Sequence, residues 1–193
     1  LTVQELARWS DKPVINGLCD TEHPCQALAD LLTLREFKGL QGRKIAYVGD
    51  GNNVCHSLML LCAKLGVSFS AATPQGYEMP AEWIEEARKW GEISVSNDPR
   101  EAVQNADAVY TDVWTSMGQE AETAQRLAVF PPFQINENLM SGAKPDAIVL
   151  HCLPAHREEE ISGETFEKHA APIFAQAQNR LHAQKAVLLH LMG

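Results

Sequence analysis

Hydrophobic and polar positions divide the chain into two regimes on either side of a glycine-flanked break at 39–42. Before it, residues 3–9 carry helical spacing and 13–18 suit a short extended piece. A second helix is expected over 21–37, with Pro24 in its first turn, where a missing N–H goes unused. Leu28, Leu31, Leu32 and Leu34 are its predicted buried side. After the break, short apolar runs alternate with amphipathic stretches. Strands are predicted at 44–49, 67–72, 92–96, 108–111 and 147–151. Between them, helices are expected over 53–65, closed by Gly66, and over 81–90, ended by Gly91. Asp98-Pro99-Arg100-Glu101 has the form of a capping box that opens a further short helix. The tail, 175–191, reads as one long helix, and neither repeats nor low-complexity tracts interrupt the pattern.

Strands that alternate with helices predict an α/β fold, a doubly wound parallel five-stranded sheet with flanking helices. The expected strand order is 3-2-1-4-5, with ligands bound beyond the carboxyl ends of the strands where the winding reverses. That order makes strands one, four and five neighbours, so unusual chemistry should follow those three. Strand one ends in Gly49-Asp50-Gly51-Asn52-Asn53, strand four in Asp112-Val113-Trp114-Thr115-Ser116-Met117-Gly118, and strand five in His151-Cys152-Leu153-Pro154. The loops after strands two and three, around Thr73-Pro74-Gln75-Gly76 and Ser96-Asn97-Asp98, are ordinary turn chemistry.

Composition narrows the function classes. A formal net charge of -9 argues against a general nucleic-acid binder, which shows a basic face. Five cysteines at irregular spacing, with no C-x-x-C pair, argue against a disulfide framework or a structural zinc site and fit a reducing, cytoplasmic setting. No apolar run approaches the roughly 18 residues that span a bilayer, so no membrane partner is expected.

The glycines of the first loop raise the question of a dinucleotide. Val54 stands at the third glycine position, however, and Thr73-Pro74 replaces the acid that would hold a ribose, so no nucleotide cofactor is expected. Asn52 and Asn53 offer amides that donate and accept, which suits a zwitterionic amino acid; Asn53 could equally cap the helix. Asp112 stands at the end of a buried strand and could orient an amine, or be an incidental loop acid. Ser116 and Met117 offer a hydroxyl and backbone groups, and Gly118 lets the loop close over a ligand. Cys152 is either a reactive thiol or a small buried hydrophobe; Cys55 and Cys62 fit the latter. His23 and Gln26 lie on one face of a helix start that favours anions. Arg180 is a solvated charge or a bidentate oxyanion clamp.

In combination, HPCQ at 23–26, GDGNN at 49–53, DVWTSMGQE at 112–120, HCLPAHR at 151–157 and QNRLHAQKA at 178–186 resemble the ornithine carbamoyltransferases, in that order and over essentially the whole chain. The resemblance implies transfer of a carbamoyl group from carbamoyl phosphate to the δ-amine of L-ornithine, giving L-citrulline and phosphate, without metal or cofactor, by a homotrimer. It implies that His23, Pro24, Cys25, Gln26, Cys152, Leu153 and Arg180 hold carbamoyl phosphate. Asn53, Asp112, Ser116 and Met117 would hold ornithine, with Asp112, Cys152 and Arg180 at the reacting atoms. Cys152 is not expected to be a covalent nucleophile, since direct amine attack needs none. The family's S-T-R-T phosphate loop is not in this sequence. The expectation is therefore a chain with a remnant of the carbamoyl-phosphate domain and a connecting helix at 1–38, an ornithine domain at 39–174 and a C-terminal helix at 175–193, inactive by itself. The competing expectation is a non-catalytic amino-acid-binding module of the same fold.

Overall fold

The computed structural model describes residues 3–116, 118 and 120–192. Helix α1 (Val3–Trp9) buries none of its side chains, and 13–18 has no regular structure. Helix α2 (Pro24–Lys38) begins three residues later than the pattern predicts. Proline excludes the residue before it from helical geometry, and His23 at φ -134° becomes the residue that precedes the first turn. From there the chain runs β1 (Lys44–Val48), α3 (Asn53–Lys64), β2 (Ser68–Ala72), α4 (Ala81–Arg88), β3 (Ile93–Ser96), α5 (Pro99–Val103) and β4 (Ala108–Thr111). After β4 come α6 (Thr123–Val129), α7 (Glu137–Met140), β5 (Ile148–His151), α8 (Gly163–Lys168) and α9 (Ala170–Met192). Apart from the starts of α2 and α9, the predicted strands and helices form to within a residue or two. Helix α9 starts five residues early, because Pro172 in its first turn costs no hydrogen bond.

The five strands pair in parallel in the order β3-β2-β1-β4-β5, the doubly wound arrangement expected from the sequence. Strand side chains alternate between faces, and each face has its own core. Ile45, Tyr47, Tyr110 and Leu150 pack with Leu58, Met59 and Cys62 of α3 and with Leu31 and Leu34 of α2. Ala46, Val48, Val109 and Val149 pack with Val103, Ile135, Ile161 and Ile173 on the other side. With both faces covered, β1, β4 and β5 are largely apolar and buried, while edge strand β3 (Ile-Ser-Val-Ser) is half exposed.

Leu28 departs from its predicted place and is exposed. The side of α2 that meets α9 is instead polar. Gln26, Asp30 and Thr33 are buried there, facing Gln176 and Asn179. Gln176 Nε2 donates to Asp30 Oδ1 (2.6 Å), and Asn179 Nδ2 donates to Thr33 Oγ1 (3.0 Å) and Glu36 Oε2 (2.8 Å). Buried polar groups persist where each finds a partner, and here two helices supply them reciprocally.

Burial lifts the Asp30 carboxyl to about 7, against the hydrogen bonds from Gln26 and Gln176, the Tyr110 hydroxyl and the charge of Arg180, all of which favour its ionised form. The folded chain therefore keeps a proton that the unfolded chain releases near the ordinary carboxylate value. The resulting stabilisation is complete below that value and disappears as pH rises through about 7. Asp30→Asn removes this dependence. The melting temperature of the variant relative to the parent is expected to rise between pH 5 and pH 8; parallel curves for the two proteins would refute it.

Candidate functional site

The three predicted loops meet at the carboxyl edge of the sheet. Gly51 lets the first of them turn, since a Cβ there would stand 2.5 Å from the Met79 backbone nitrogen and 2.7 Å from the Tyr77 carbonyl oxygen. The turn delivers Asn52 to the start of α3, where its Oδ1 accepts from the backbone N–H groups of Val54 and Cys55, both at 3.1 Å. Its Nδ2 donates to Asp112 Oδ2 at 2.8 Å. The capping role that the sequence allowed for Asn53 thus belongs to Asn52. The Asn53 amide instead donates to the Cys19 carbonyl (2.7 Å), tying α3 to the segment that leads into α2.

Asp112 is the meeting point. Oδ1 accepts from Cys152 Sγ (2.8 Å) and from the Val113 N–H (2.8 Å), while Oδ2 takes Asn52. One carboxyl therefore joins the ends of β1, β4 and β5. Burial, the Asp112 charge and the hydrogen bond to Asp112 push the Cys152 thiol well above its ordinary value. Cys152 accordingly carries its proton and donates it, which disqualifies it as a ready thiolate nucleophile.

The β5 loop is held from behind. His151 and Glu160 are fully buried and 3.0 Å apart through His151 Nε2. The Leu153 N–H donates to His151 Nδ1 (2.9 Å), so Nε2 is the protonated nitrogen, facing Glu160. Leu153 has φ 58°, a conformation that a bulky residue adopts only when its surroundings impose it, and its bond to Pro154 is cis. With the N–H of Leu153 occupied, its carbonyl is the group left to a ligand.

On the other wall, His23 donates its backbone N–H to Ser57 Oγ (2.8 Å) and is half-buried, with Nδ1 in an environment that gives it no partner. Burial and the nearby Arg180 charge lower its pKa and keep the ring neutral; the backbone of Gly17 and the Asp112 charge oppose them. Pro24 opens α2 and Cys25 is buried beside it, its Sγ 3.5 Å from the Asn16 carbonyl oxygen. Arg180 Nη1 donates to Gln26 Oε1 at 2.5 Å. His23, Gln26, Asp112, Cys152 and Arg180 therefore share one electrostatic neighbourhood. Ser116 is half-buried in the β4 loop, and Met117 lies outside the described residues.

Several contributors escaped the sequence reading. Asp50, in the first loop, is buried and paired with Arg126 Nη1 (2.6 Å), which also donates to the Trp114 carbonyl (2.8 Å). This latch joins the first loop to the β4 loop, but 76 residues separate the partners and no local spacing announces it. Glu160 is equally silent in sequence. Asp30, four residues after Gln26 on one helix face, had a readable signal.

The fold and this edge define an α/β domain whose strand ends bring a carboxyl and a thiol into contact, with an imidazole and a guanidinium in the same electrostatic neighbourhood. Comparison with known proteins gives the class. The Asp/Orn binding domain of the aspartate/ornithine carbamoyltransferases matches residues 41–191, and their carbamoyl-P binding domain matches residues 1–36. The chain belongs to the aspartate/ornithine carbamoyltransferase family. It is 56% identical to the ornithine carbamoyltransferase of Carboxydothermus hydrogenoformans, over 99% of this chain and 63% of that protein. Against that of Bacillus subtilis the identity is 57%, over 96% and 60%. The crystal structure of the anabolic ornithine carbamoyltransferase of Campylobacter jejuni superposes with TM-score 0.94 at 44% identity, covering 98% of this chain and 65% of the other. That from Pyrococcus furiosus gives 0.89 at 50%, covering 96% and 61%. The chain thus spans 60–63% of the length of these two curated relatives.

Because Asn52 both caps α3 and holds Asp112, Asn52→Ala is expected to cost about 1 kcal/mol of stability through the lost cap alone. It should also release one side of the Asp112 carboxyl. Chemical denaturation measures the first effect, and a crystal structure showing Asp112 unmoved would dismiss the second.

Proposed function

We propose that this chain forms the ornithine side, and part of the carbamoyl side, of an ornithine carbamoyltransferase site that converts carbamoyl phosphate and L-ornithine to L-citrulline and phosphate. The observation that carries the reading is the Asp112–Cys152 contact at 2.8 Å, in the same electrostatic neighbourhood as an imidazole held neutral. The δ-amine of ornithine is protonated at neutral pH and must lose a proton before it attacks the carbamoyl carbon. Asp112, with Cys152 beside it, orients that amine and favours its approach as a cation. The ammonium gives one proton to solvent, the free amine attacks, the new C–N bond forms as phosphate departs with the C–O electron pair, and the remaining surplus N–H proton leaves on the phosphate. Neutral His23 donates an N–H to the carbamoyl oxygen, and Arg180 meets the charge that develops on carbamoyl and phosphate oxygens. Donors of this kind are worth about 3–4 kcal/mol each in the transition state. Gln26 Oε1 keeps a second lone pair for the carbamoyl amino group. Asn53, Ser116 and Met117 complete the reading as ligands of the amino-acid end of ornithine, and Pro24, Cys25 and Leu153 as backbone contacts of carbamoyl phosphate.

The same reading divides the chain into 1–38, 39–174 and 175–193, the last boundary falling inside α9, gives it a homotrimeric assembly, and places it in the cytoplasm, consistent with five free cysteines. No helix among the described residues is long and apolar enough to cross a membrane.

Asp112→Asn, made in the protein encoded by the complete reading frame, keeps the shape of the side chain but not its charge. It is expected to lower kcat/KM for ornithine by roughly a hundredfold while the melting temperature moves by only a few degrees. Citrulline formation near the parent rate would remove Asp112 from the site, and a parent protein that forms no citrulline would defeat the reading as a whole.

A further inference from the structure

We infer that Asp30, which lies behind the site and meets its substrate-binding groups through the amide nitrogen of Gln26, is a positioning residue that sets the direction of two buried side-chain amides and through them aims Arg180 and the His151–Pro154 loop. The inference rests on the carbamoyltransferase reading for its kinetic consequence, but its geometry stands apart from it.

A glutamine amide has a donor end and an acceptor end of nearly identical shape, so packing alone does not decide which way it points. Here hydrogen bonding decides. Gln26 Nε2 and Gln176 Nε2 both donate to Asp30 Oδ1, at 2.7 and 2.6 Å. Each amide must therefore turn its carbonyl oxygen outward. Gln26 Oε1 receives Arg180 Nη1 at 2.5 Å, and Gln176 Oε1 receives the backbone N–H of His151 at 2.8 Å. A guanidinium and a backbone N–H can only donate, so both outer positions demand an oxygen. The arrangement is consistent from end to end only because the group at its centre accepts twice.

Both chains end on site elements. Among the described residues, the Gln26 contact is the hydrogen bond that aims the Arg180 guanidinium, whose Nε is buried without a partner. The second chain pins the first residue of the loop whose next two members are Cys152 and Leu153. The three residues at the centre, Gln26, Asp30 and Gln176, are all essentially inaccessible to solvent, so water cannot substitute for the central acceptor. Without that acceptor, each inner NH2 group is stranded. Reversing either amide to relieve this would set donor against donor at Arg180 or at His151.

The test compares Asp30→Leu, which has a similar shape and no acceptor, with Asp30→Asn, which retains one carbonyl oxygen able to accept from both amides. Both are made in the protein encoded by the complete reading frame. Asp30→Leu is expected to lower kcat/KM for carbamoyl phosphate by at least roughly tenfold, as displaced catalytic groups do, with a smaller change in KM for ornithine. Asp30→Asn should recover most of that loss, and it should not melt below the parent at pH 8. Equal kinetics in parent and Asp30→Leu overturns the inference, as does a loss in Asp30→Asn as large as that in Asp30→Leu. If leucine is not accommodated, Asp30→Val serves as the acceptor-free variant. Failure of both to fold makes Asp30 a structural residue and also overturns it. A crystal structure of the acceptor-free variant decides the geometry irrespective of turnover: the Gln26–Arg180 hydrogen bond should be lost, and its retention with Gln26 unturned would sink the idea. A parent that forms no citrulline counts instead against the carbamoyltransferase reading.

Discussion

A parallel sheet brings the carboxyl ends of its strands to one edge but does not by itself bind the loops there to one another. In this chain the Asp112 carboxyl does so, accepting from Asn52 of the β1 loop, Val113 of its own loop and Cys152 of the β5 loop. A buried acid is costly unless its oxygens are satisfied, and three neighbours satisfy these. The same requirement fixes the partners: Asn52 must present its NH2 and Cys152 must keep its proton. The remaining contacts at this edge follow from that junction. Asn52 has its Oδ1 free for the start of α3 because its Nδ2 is committed, and the Asp50–Arg126 latch steadies the loops on either side.

The fold was legible because every strand is short and followed by a turn or helix signal, and because a doubly wound sheet has few ways to order five such strands. Strand order then predicted which loops would meet, and the β1, β4 and β5 loops do. The less legible features are those decided by pairing across long sequence distance. Leu28 was expected inside by helical periodicity, yet α9 brings polar partners to that helix, and Asp30 and Thr33 are buried instead. Asn52 and Asn53 differ by one position, and only the direction in which the loop leaves β1 determines which caps the helix and which reaches Cys19. The roles of Arg126 and Glu160 at this edge are not readable locally, because Arg126 reaches Asp50 across 76 residues and Glu160 meets a histidine buried at the end of β5.

Cys152 illustrates how environment overrides residue type. A cysteine just past the end of a buried strand suggests a nucleophile, and a nearby positive charge or helix start would make it one by lowering its pKa. The group that Cys152 meets is a carboxyl, and burial works in the same direction, so the proton stays on sulfur. The thiol then completes the hydrogen bonding of Asp112 while remaining small and weakly hydrated. A serine would donate more strongly but also demand a donor in return. Direct attack by an amine requires an acid–base environment and a fixed trajectory, and for both purposes a protonated thiol held against a carboxyl is better suited than a thiolate. The chemistry proposed for this edge is thus set less by its reactive-looking residue than by the acid that neutralises it.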